Sequence, residues 1–588
     1  MIRRPPRSTP SNSSAASDVY KRQHMRCYLS LGSNLGNRLR NIERAIEFIG
    51  KKYSVLKVSR IYETPPMYFK KQPLFLNCAV EIEFSGKCRA LLENMQQVEN
   101  KLKRRRKFKF GPRTIDIDVL FCGKQIINTN NLTIPHPGIS EREFVLHPLA
   151  EIAPGFRHPL CGEKIEDMLK KIKNLGNVSI YPRNYEDAAK VLLSIAPGDT
   201  YNLSGMKNLI RKAGALFCGK TIYIHIAGTN GKTSVTRFLS AALTRFGYRT
   251  GAYTSPHIED IRERICVDGE KISKRDFLKY FFKVRTMKIK LSFFEYLTAI
   301  ALLYFRDKEL DFAILESGMG GKLDATNIVD SQIVVITDIG RDHENFLGRG
   351  LKNISAHKAG VIKQKASLII SEENRGCEYV LKHARRKNAE IFHPGKITGA
   401  RNLPLYQREN IALVEKALSV LKNKFGFSGI NLNAFRRVAG KVALPGRFEK
   451  LQVAGRTIIL DGAHNLAAAQ KFLKSVEKPQ KGKIVCLFSM MSDKDYKSVL
   501  RKAITQSGAV FVTEVSSSRT LKAEFVRERF RDKKIRFEKS LKKAFQKTLR
   551  YAGKNDLILV FGSLYLVAEV KAILNGRKIL FPEEVPQR

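Results

Sequence analysis

Two well-separated stretches of this chain combine residue types that handle phosphate. The first is Gly111-Pro-Arg-Thr-Ile-Asp-Ile-Asp118, preceded by a run (residues 101–109) in which seven of nine residues are basic. Period-two alternation puts Asp116 and Asp118 on one face of a strand while the isoleucines pack inward. Two carboxylates a strand pitch apart suit bridging Mg²⁺ ions, which share oxygen ligands with phosphates. Arg104, Arg106 and Arg113 supply bidentate donors for a polyphosphate. The second stretch is Gly228-Thr-Asn-Gly-Lys-Thr-Ser234, directly after an apolar run (residues 221–227). Its glycines let backbone N–H groups approach phosphate, a following helix favours negative charge, and Lys232 reaches the terminal phosphates. The loop is shorter than the usual Walker spacing. Glu316, closing a buried strand, stands where a Mg²⁺ ligand belongs. Taken singly, each feature has a plainer reading: a surface strand with a solvated basic loop, a glycine turn, a carboxylate capping the next turn. Two phosphate-handling stretches together imply two active sites in series.

The elements that position the first stretch read as an α+β unit over residues 25–175. Strands are expected at 27–31, 53–62, 77–84 and 115–121, and helices at 37–49 and 88–102. A loop-like connector follows at 176–184. From residue 185 the rhythm changes to fully apolar strands alternating with helices. Strands are expected at 221–227, 312–315, 333–337, 457–460, 483–488, 509–512 and 557–560, with a helix over 234–246. That is the pattern of doubly wound parallel sheets. A boundary near Leu444 divides this half into a larger domain (184–444) and a smaller C-terminal α/β domain (445–588).

With 588 residues the chain exceeds one core. Nine cysteines without a CxxC pair or Cys/His cluster read as reduced thiols of a cytoplasmic protein. Apolar runs fall short of a membrane span. The net charge of +50 invites a nucleic-acid reading. The basic residues are spread along the whole chain, however, without the aromatic interleaving of RNA platforms, so solvated helix faces are the expectation. Residues 1–24, with Arg3-Arg-Pro-Pro-Arg7 and a serine-rich run, have no core-forming pattern. They are expected to be an artefactual or disordered tail, with Met25 as the start.

The order of motifs adds to this reading. Gly32-Ser-Asn-Leu-Gly36, Tyr62-Glu-Thr-Pro-Pro66, Phe75-Leu-Asn77, Glu99, residues 109–118 and Ile134-Pro-His136 together resemble hydroxymethyldihydropterin pyrophosphokinase of folate synthesis. The resemblance covers roughly residues 25–170 and implies a ferredoxin-like fold, with Asp116 and Asp118 holding two Mg²⁺ on ATP. It implies further that Thr64, Pro65, Asn77 and Phe144 embrace the pterin. Gln96, Arg104, Arg106, Arg113, His136 and Arg142 would contact ATP. Phe110 stands where the family usually has tryptophan, which keeps an aromatic ring there.

A second series resembles the dihydrofolate synthase/folylpolyglutamate synthase family, relatives of the Mur ligases, over about residues 184–575. It comprises Thr254-Ser-Pro-His257, Phe293-Phe-Glu295, the run from Glu316 through Gly-Gly-Lys-Leu-Asp-Ala-Thr-Asn327, Asp342-His343 and Lys358-Ala-Gly360. Leu444-Pro-Gly-Arg-Phe448, Asp461-Gly-Ala-His-Asn465, Asp493-Lys-Asp495 and Gly562-Ser-Leu-Tyr565 complete it. The resemblance implies a P-loop Mur-ligase-like domain followed by a Rossmann-like one. Ser255, Glu316 and His343 would hold Mg²⁺, two ions per active site, and Lys358 would be a carbamylated lysine. Gly228, Thr229, Asn230, Gly231, Lys232, Thr233 and Ser234 would cradle phosphates, with Asn410, Arg447 and Asp461 clamping ATP between two domains. Phe293, Phe294, Glu295, Leu323, Asp324 and Ala325 would line the pterin pocket. Thr233 replaces a usual glycine, His357 a glutamate, and Ser317 and Met319 more common apolar residues.

The expectation is therefore a fused folate-synthesis enzyme acting on ATP, hydroxymethyldihydropterin, dihydropteroate or folates, and L-glutamate. It would use no nucleic acid or membrane partner and would depend on a separate dihydropteroate synthase. A Mur-like amino-acid ligase of different acceptor specificity is the alternative for the second half.

Overall fold

The computed structural model describes residues 24–67, 69–104, 111–172, 178–195, 202–214, 220–371, 373–374, 376–395, 400 and 402–576. The chain divides into two compact units, Met1–Val191 and Leu192–Arg588.

The first unit is built on an antiparallel sheet, ordered Asp116–Cys122, Met25–Ser33, Phe75–Phe84, Tyr62–Thr64, Ser179–Ile180, with Ser54–Val58 also pairing to Phe75–Phe84. Alternation along Met25–Ser33 sends Cys27, Leu29 and Leu31 to one face, against Ile42, Ile49, Leu91 and Met95 of the helices Arg38–Gly50 and Cys88–Lys101. Tyr28 goes to the other face, with Val145, Leu146 and Leu149 of the helix Glu143–Ile152. With both faces covered, the sheet is buried on each side. The stretch 53–62, expected as one strand, is two, because residues 59–61 leave the ladder. Ser179–Ile180, inside the expected connector, pairs with Tyr62–Thr64.

The second unit holds two sheets. Its eight-stranded sheet runs Glu270–Lys271, Ile265–Val267, Thr250–Tyr253, Phe312–Glu316, Ile222–Ala227, Ile333–Ile336, Ser367–Ile370, Glu390–Phe392, parallel from Thr250–Tyr253 onward. The sequence reading did not anticipate Thr250–Tyr253 and Ser367–Ile370, short strands without a long apolar run. The second sheet runs Arg447–Val453, Arg456–Asp461, Leu557–Phe561, Ile484–Phe488, Ala509–Val512, Ile535–Phe537, parallel except for the first pair. Buried Val, Ile and Leu fill both faces of each sheet. One correction concerns Ile222–Ala227, read as fully apolar. It carries His225, whose fully buried ring meets Thr326 Oγ1 at 2.8 Å. Burial pushes that imidazole down to about 3, so it is neutral and packs as part of the core.

Candidate functional site

In the first unit the register places Gly32 beside Asn77 on one neighbouring strand and Asp116 on the other. A Cβ on Gly32 would lie 2.9 Å from Asn77 Oδ1, so the approach requires glycine. Asn77 and Thr64 are both buried, and the asparagine amide donates to Thr64 Oγ1 at 2.8 Å. Asp116 receives Arg104 on one carboxylate oxygen and Arg113 Nη2 on the other at 2.7 Å. Burial raises the Asp118 carboxyl, as does the Asp116 charge, while His136, Arg142 and Arg113 pull it down. Two neighbouring acids among these cations suit a divalent ion shared with phosphate. The Arg113 guanidinium stands 5.1 Å from the Phe75 ring centroid, and Arg142 stands 5.8 Å from Phe144.

Sequence reasoning gave Glu99 no role beyond its place in a motif. The structure buries it, and burial pushes its carboxyl up to about 7 against the pull of Arg104. It accepts the Ile117 N–H at 2.8 Å and pairs with Arg104, which fixes that guanidinium between Glu99 and Asp116. Gln96 and Pro65 are solvent-exposed. Arg106 and Phe110 lie outside the described residues.

In the second unit one cavity of about 590 Å³ collects residues 228–234, Ser255, Glu316, His343, Lys358, Asn410, Arg447 and Asp461. Gly228 has φ +153° and Gly231 φ +85°, and a Cβ on either would run into Thr337 or Asn410. Beyond Gly231 the helix Lys232–Arg245 begins, two residues earlier than expected. Asp338 holds the loop by accepting Thr229 N at 3.0 Å, Asn230 N at 2.6 Å and Asn230 Nδ2 at 3.1 Å. Lys232 Nζ donates to the Gly228 and Thr229 carbonyls at 3.1 and 3.3 Å.

Glu316 is buried at the end of Phe312–Glu316 and accepts Thr233 Oγ1 at 2.9 Å and Ser255 N at 3.1 Å. Burial raises its carboxyl, opposed first by Lys232. Thr233 thus ties the phosphate loop to the carboxylate, a hydrogen bond that glycine at this position lacks. Ser317 is a structural replacement too, bonded to Ile226 O through both N and Oγ. Met319 packs against the apolar cluster around Ile354 and Val361. Lys358 is 3% exposed. Burial, then the Lys232 charge, pushes it down to about 7, with Asp338 and Asp342 opposing. His343 stands exposed at the rim, Nε2 4.0 Å from Asp342.

The second sheet closes the cavity. Asp461 accepts Tyr406 OH, Phe448 N and Ala463 N, each at 2.8 Å. Asn465 Nδ2 reaches Asn230 Oδ1 of the phosphate loop at 2.9 Å. Asp342 pairs with Lys494 and lies 3.4 Å from His464 Nε2. Burial alone would raise that carboxyl, but the hydrogen bond from His464 and the surrounding cations drive it far down.

The expected pterin-pocket residues do not line this cavity. Glu295 caps its own helix through Ser292, Phe293 lies 5.2 Å under the Arg264 guanidinium, and Phe294 packs on Tyr253. Asp324 is buried and accepts Met319 N and Thr326 N; Ala325 is buried and Leu323 partly exposed. Sequence reasoning missed Asp338, which sits just past the strand Ile333–Ile336. The rule that ligands gather at the carboxyl ends of parallel strands points there. Lys494 was given no role beyond its place in the Asp493-Lys-Asp495 motif. Its partner Asp342 comes from the other sheet.

Among the described residues no three His, Cys, Asp and Glu side chains converge on a metal position by themselves. Glu316 and Ser255, oxygen groups beside Lys232, fit a cation that completes its shell from phosphate and water.

An enzyme that handles phosphate groups at two separate places is the class this architecture defines. Residues 28–154 match the family described as 7,8-dihydro-6-hydroxymethylpterin-pyrophosphokinase. Residues 226–449 match the Mur ligase middle domain, and 446–564 the Mur ligase, glutamate ligase domain. A dihydrofolate synthase/folylpolyglutamate synthase of Buchnera aphidicola is 30% identical over 399 residues, 65% of this chain and 95% of that protein. One from Bacillus subtilis is 28% identical over 446 residues, 66% and 99% of the two chains. Among solved structures, E. coli FolC in complex with DHPP and ADP aligns at 27% identity and TM-score 0.60, covering 67% of this chain and 98% of that one. A bifunctional folylpolyglutamate synthase/dihydrofolate synthase with Mn, AMPPNP and L-glutamate bound aligns at 27% identity and TM-score 0.59, covering 66% and 98%. The chain belongs to the dihydrofolate synthase/folylpolyglutamate synthase family and carries a pyrophosphokinase domain ahead of it. It is a folate-pathway enzyme of two types, pyrophosphokinase and folate ligase. Among the described residues no helix is long and apolar enough to cross a membrane.

Proposed function

We propose that the first unit transfers pyrophosphate from ATP to 6-hydroxymethyl-7,8-dihydropterin, releasing AMP, and that the second joins L-glutamate to dihydropteroate or a folate, releasing ADP. The observation that carries the second activity is the single cavity joining the phosphate loop, Glu316 and Lys358 to Arg447 and Asp461 of the following sheet. In the first reaction the pterin hydroxyl attacks the β-phosphorus of ATP, a step governed by positioning and charge neutralisation. Asn77 and Thr64 orient the pterin, while Arg104, Arg113, His136 and Arg142 face the phosphates.

In the second, the substrate carboxylate attacks the γ-phosphate to form an acyl phosphate. The glutamate amine then displaces phosphate through a tetrahedral intermediate. Lys232 and the loop N–H groups stabilise charge on the transferred phosphoryl group. Asn465 and the Asp342–Lys494 pair, reaching across between the two sheets, hold the cavity closed against water. Asp116 and Asp118 in the first site, and Ser255, Glu316 and His343 in the second, would hold divalent cations, which would supply neutralisation of phosphate charge.

Identifying the nucleotide product with Mg-ATP and each acceptor separately tests both halves. AMP is expected only with hydroxymethyldihydropterin, and ADP only with dihydropteroate or folate plus glutamate. ADP formed with neither acceptor would end the ligase reading. A demand for a uridine nucleotide acceptor would replace it by the Mur-like alternative.

Lys358, depressed to about 7, holds a large share of neutral amine near neutral pH and is the group we propose to be carbamylated. Addition of CO₂ needs the uncharged form, so activation should strengthen as pH rises through 7. Stripping bicarbonate should lower ADP formation reversibly, and Lys358→Ala should abolish that dependence. Full activity of Lys358→Ala would remove the role.

A further inference from the structure

At the end of the first unit's sheet remote from Asp116, three thiols come together. Cys27 and Cys122 face each other across the ladder between Met25–Ser33 and Asp116–Cys122. Gly123 N donates to Arg26 O at 2.9 Å in the next pair along, so Cys27 and Cys122 form a pair without backbone hydrogen bonds of its own. Such pairs bring their Cα atoms to about 4.5 Å and send both side chains to the same face. Disulfides span Cα separations of about 4.4–6.8 Å, so this pair can be bridged with little backbone movement. Cys88, the first residue of the helix Cys88–Lys101, packs in the same core cluster. All three are buried free thiols. By strand pitch Cys122 lies about 20 Å along its strand from Asp116, outside the phosphate site.

The three differ in reach and in protonation. Cys88 Sγ donates to Gln125 Oε1 at 3.0 Å. Gln125 is exposed in the turn after Cys122, where its own N–H donates to Cys122 O at 3.0 Å. That contact with a surface side chain places Cys88 just beneath the solvent boundary. A hydrogen bond with Cys122, joined by the Cys88 backbone N–H, holds the Cys88 thiol below its ordinary range against the effect of burial. Cys122 is pushed far up by hydrogen bonding with Cys27 and Cys88 and by burial. A thiol inclined to ionise thus sits beside one that stays protonated, which is the division between an attacking and a resolving cysteine.

We propose that Cys88, Cys122 and Cys27 form a thiol relay that reduces hydrogen peroxide and stores the oxidation as a Cys27–Cys122 disulfide. The Cys88 thiolate attacks one peroxide oxygen and the O–O bond breaks. Cys88 becomes a sulfenic acid, and the other oxygen leaves as water with the proton that the thiol gave up. Cys122 attacks the Cys88 sulfur, forming a Cys88–Cys122 disulfide and releasing a second water that carries the Cys122 proton. Cys27 then attacks the Cys122 sulfur, and Cys88 leaves with the Cys27 proton. In sum, a pair of thiols is oxidised to a disulfide and the peroxide is reduced to water. The test treats the reduced full-length chain with hydrogen peroxide, blocks the remaining thiols, and maps the digest by mass spectrometry. Wild type should yield a peptide pair joined through Cys27 and Cys122, about 2 Da lighter than the two reduced peptides. Cys27→Ala should stop at Cys88–Cys122, and Cys122→Ala should leave a Cys88 sulfenic acid that dimedone traps. Cys88→Ala should slow the Cys27–Cys122 bridge by about tenfold or more. Oxidation of exposed Cys161 while Cys27, Cys88 and Cys122 stay reduced in wild type would overturn the relay. So would a Cys88→Ala chain that forms the bridge at the wild-type rate. The wild-type result needs no substitution to decide the point, and unchanged melting temperatures of the reduced variants show that they are folded.

Discussion

Replacing Lys232 by methionine should lower acceptor-dependent ADP formation by about 10²–10³-fold and leave AMP formation from the pterin substrate unchanged. The size follows from where the charge sits. The ammonium stands at the mouth of the phosphate loop, beside the buried carboxylate of Glu316. Removing it leaves the negative charge that builds on the transferred phosphoryl group with backbone N–H groups alone. The loop should keep its shape, because Asp338 holds Thr229 and Asn230 without help from Lys232. A second consequence separates this variant from a simple loss of affinity. Lys232 is, after burial, the main group depressing the Lys358 amine. Without it that amine should titrate above 7, so bicarbonate activation should need a higher pH. Product chromatography at several pH values reads both effects. Loss of both AMP and ADP formation would mean that the two sites are not independent. Undiminished ADP formation would place the ligase chemistry elsewhere.

Asp116→Asn should produce the reciprocal phenotype, with AMP formation down about 10³-fold and ADP formation intact. Asp116 is the carboxylate on which Arg104 and Arg113 converge, and it faces Asp118 from one residue along the same face of the strand. The amide keeps the shape but removes the charge that makes the pair attractive to a divalent cation. The Asp118 carboxyl, relieved of a like charge, should ionise more readily, so residual activity should persist at a raised Mg²⁺ requirement. Titrating Mg²⁺ against AMP release checks this. A variant with wild-type rate and Mg²⁺ dependence would exclude Asp116 from the site. The substitution is nearly isosteric, and an unchanged melting temperature would show that the loss is chemical.

The strands that carry these groups were largely legible because they are buried on both faces. Such strands must be continuous apolar runs, and 312–315, 484–488 and 557–560 are. Thr250–Tyr253 escaped notice because Thr250 and Gly251 break the apolar signal, and Gly251 is required where Leu310 and Phe305 press on the backbone. Phosphate-binding residues were legible for a related reason. A loop that wraps phosphate has to be built from consecutive residues, so Gly228, Gly231 and Lys232 keep their spacing in the sequence.

What the sequence determined by itself is the local chemistry: the glycines and lysine of the phosphate loop, the alternating aspartates, the carboxylate ending a buried strand. Each depends on neighbours within a few residues, where strand pitch and helix start dictate direction. Tertiary structure alone decided which of these groups share a cavity and what state they are in. Glu316 becomes a buried acceptor for Thr233 because parallel pairing sets its strand beside Ile222–Ala227. Lys358 reaches a near-neutral pKa only because its helix end is packed out of water, close to Lys232. Asp342 meets Lys494 across 152 positions of chain. Burial and long-range charge act through space, and no spacing along the chain encodes them.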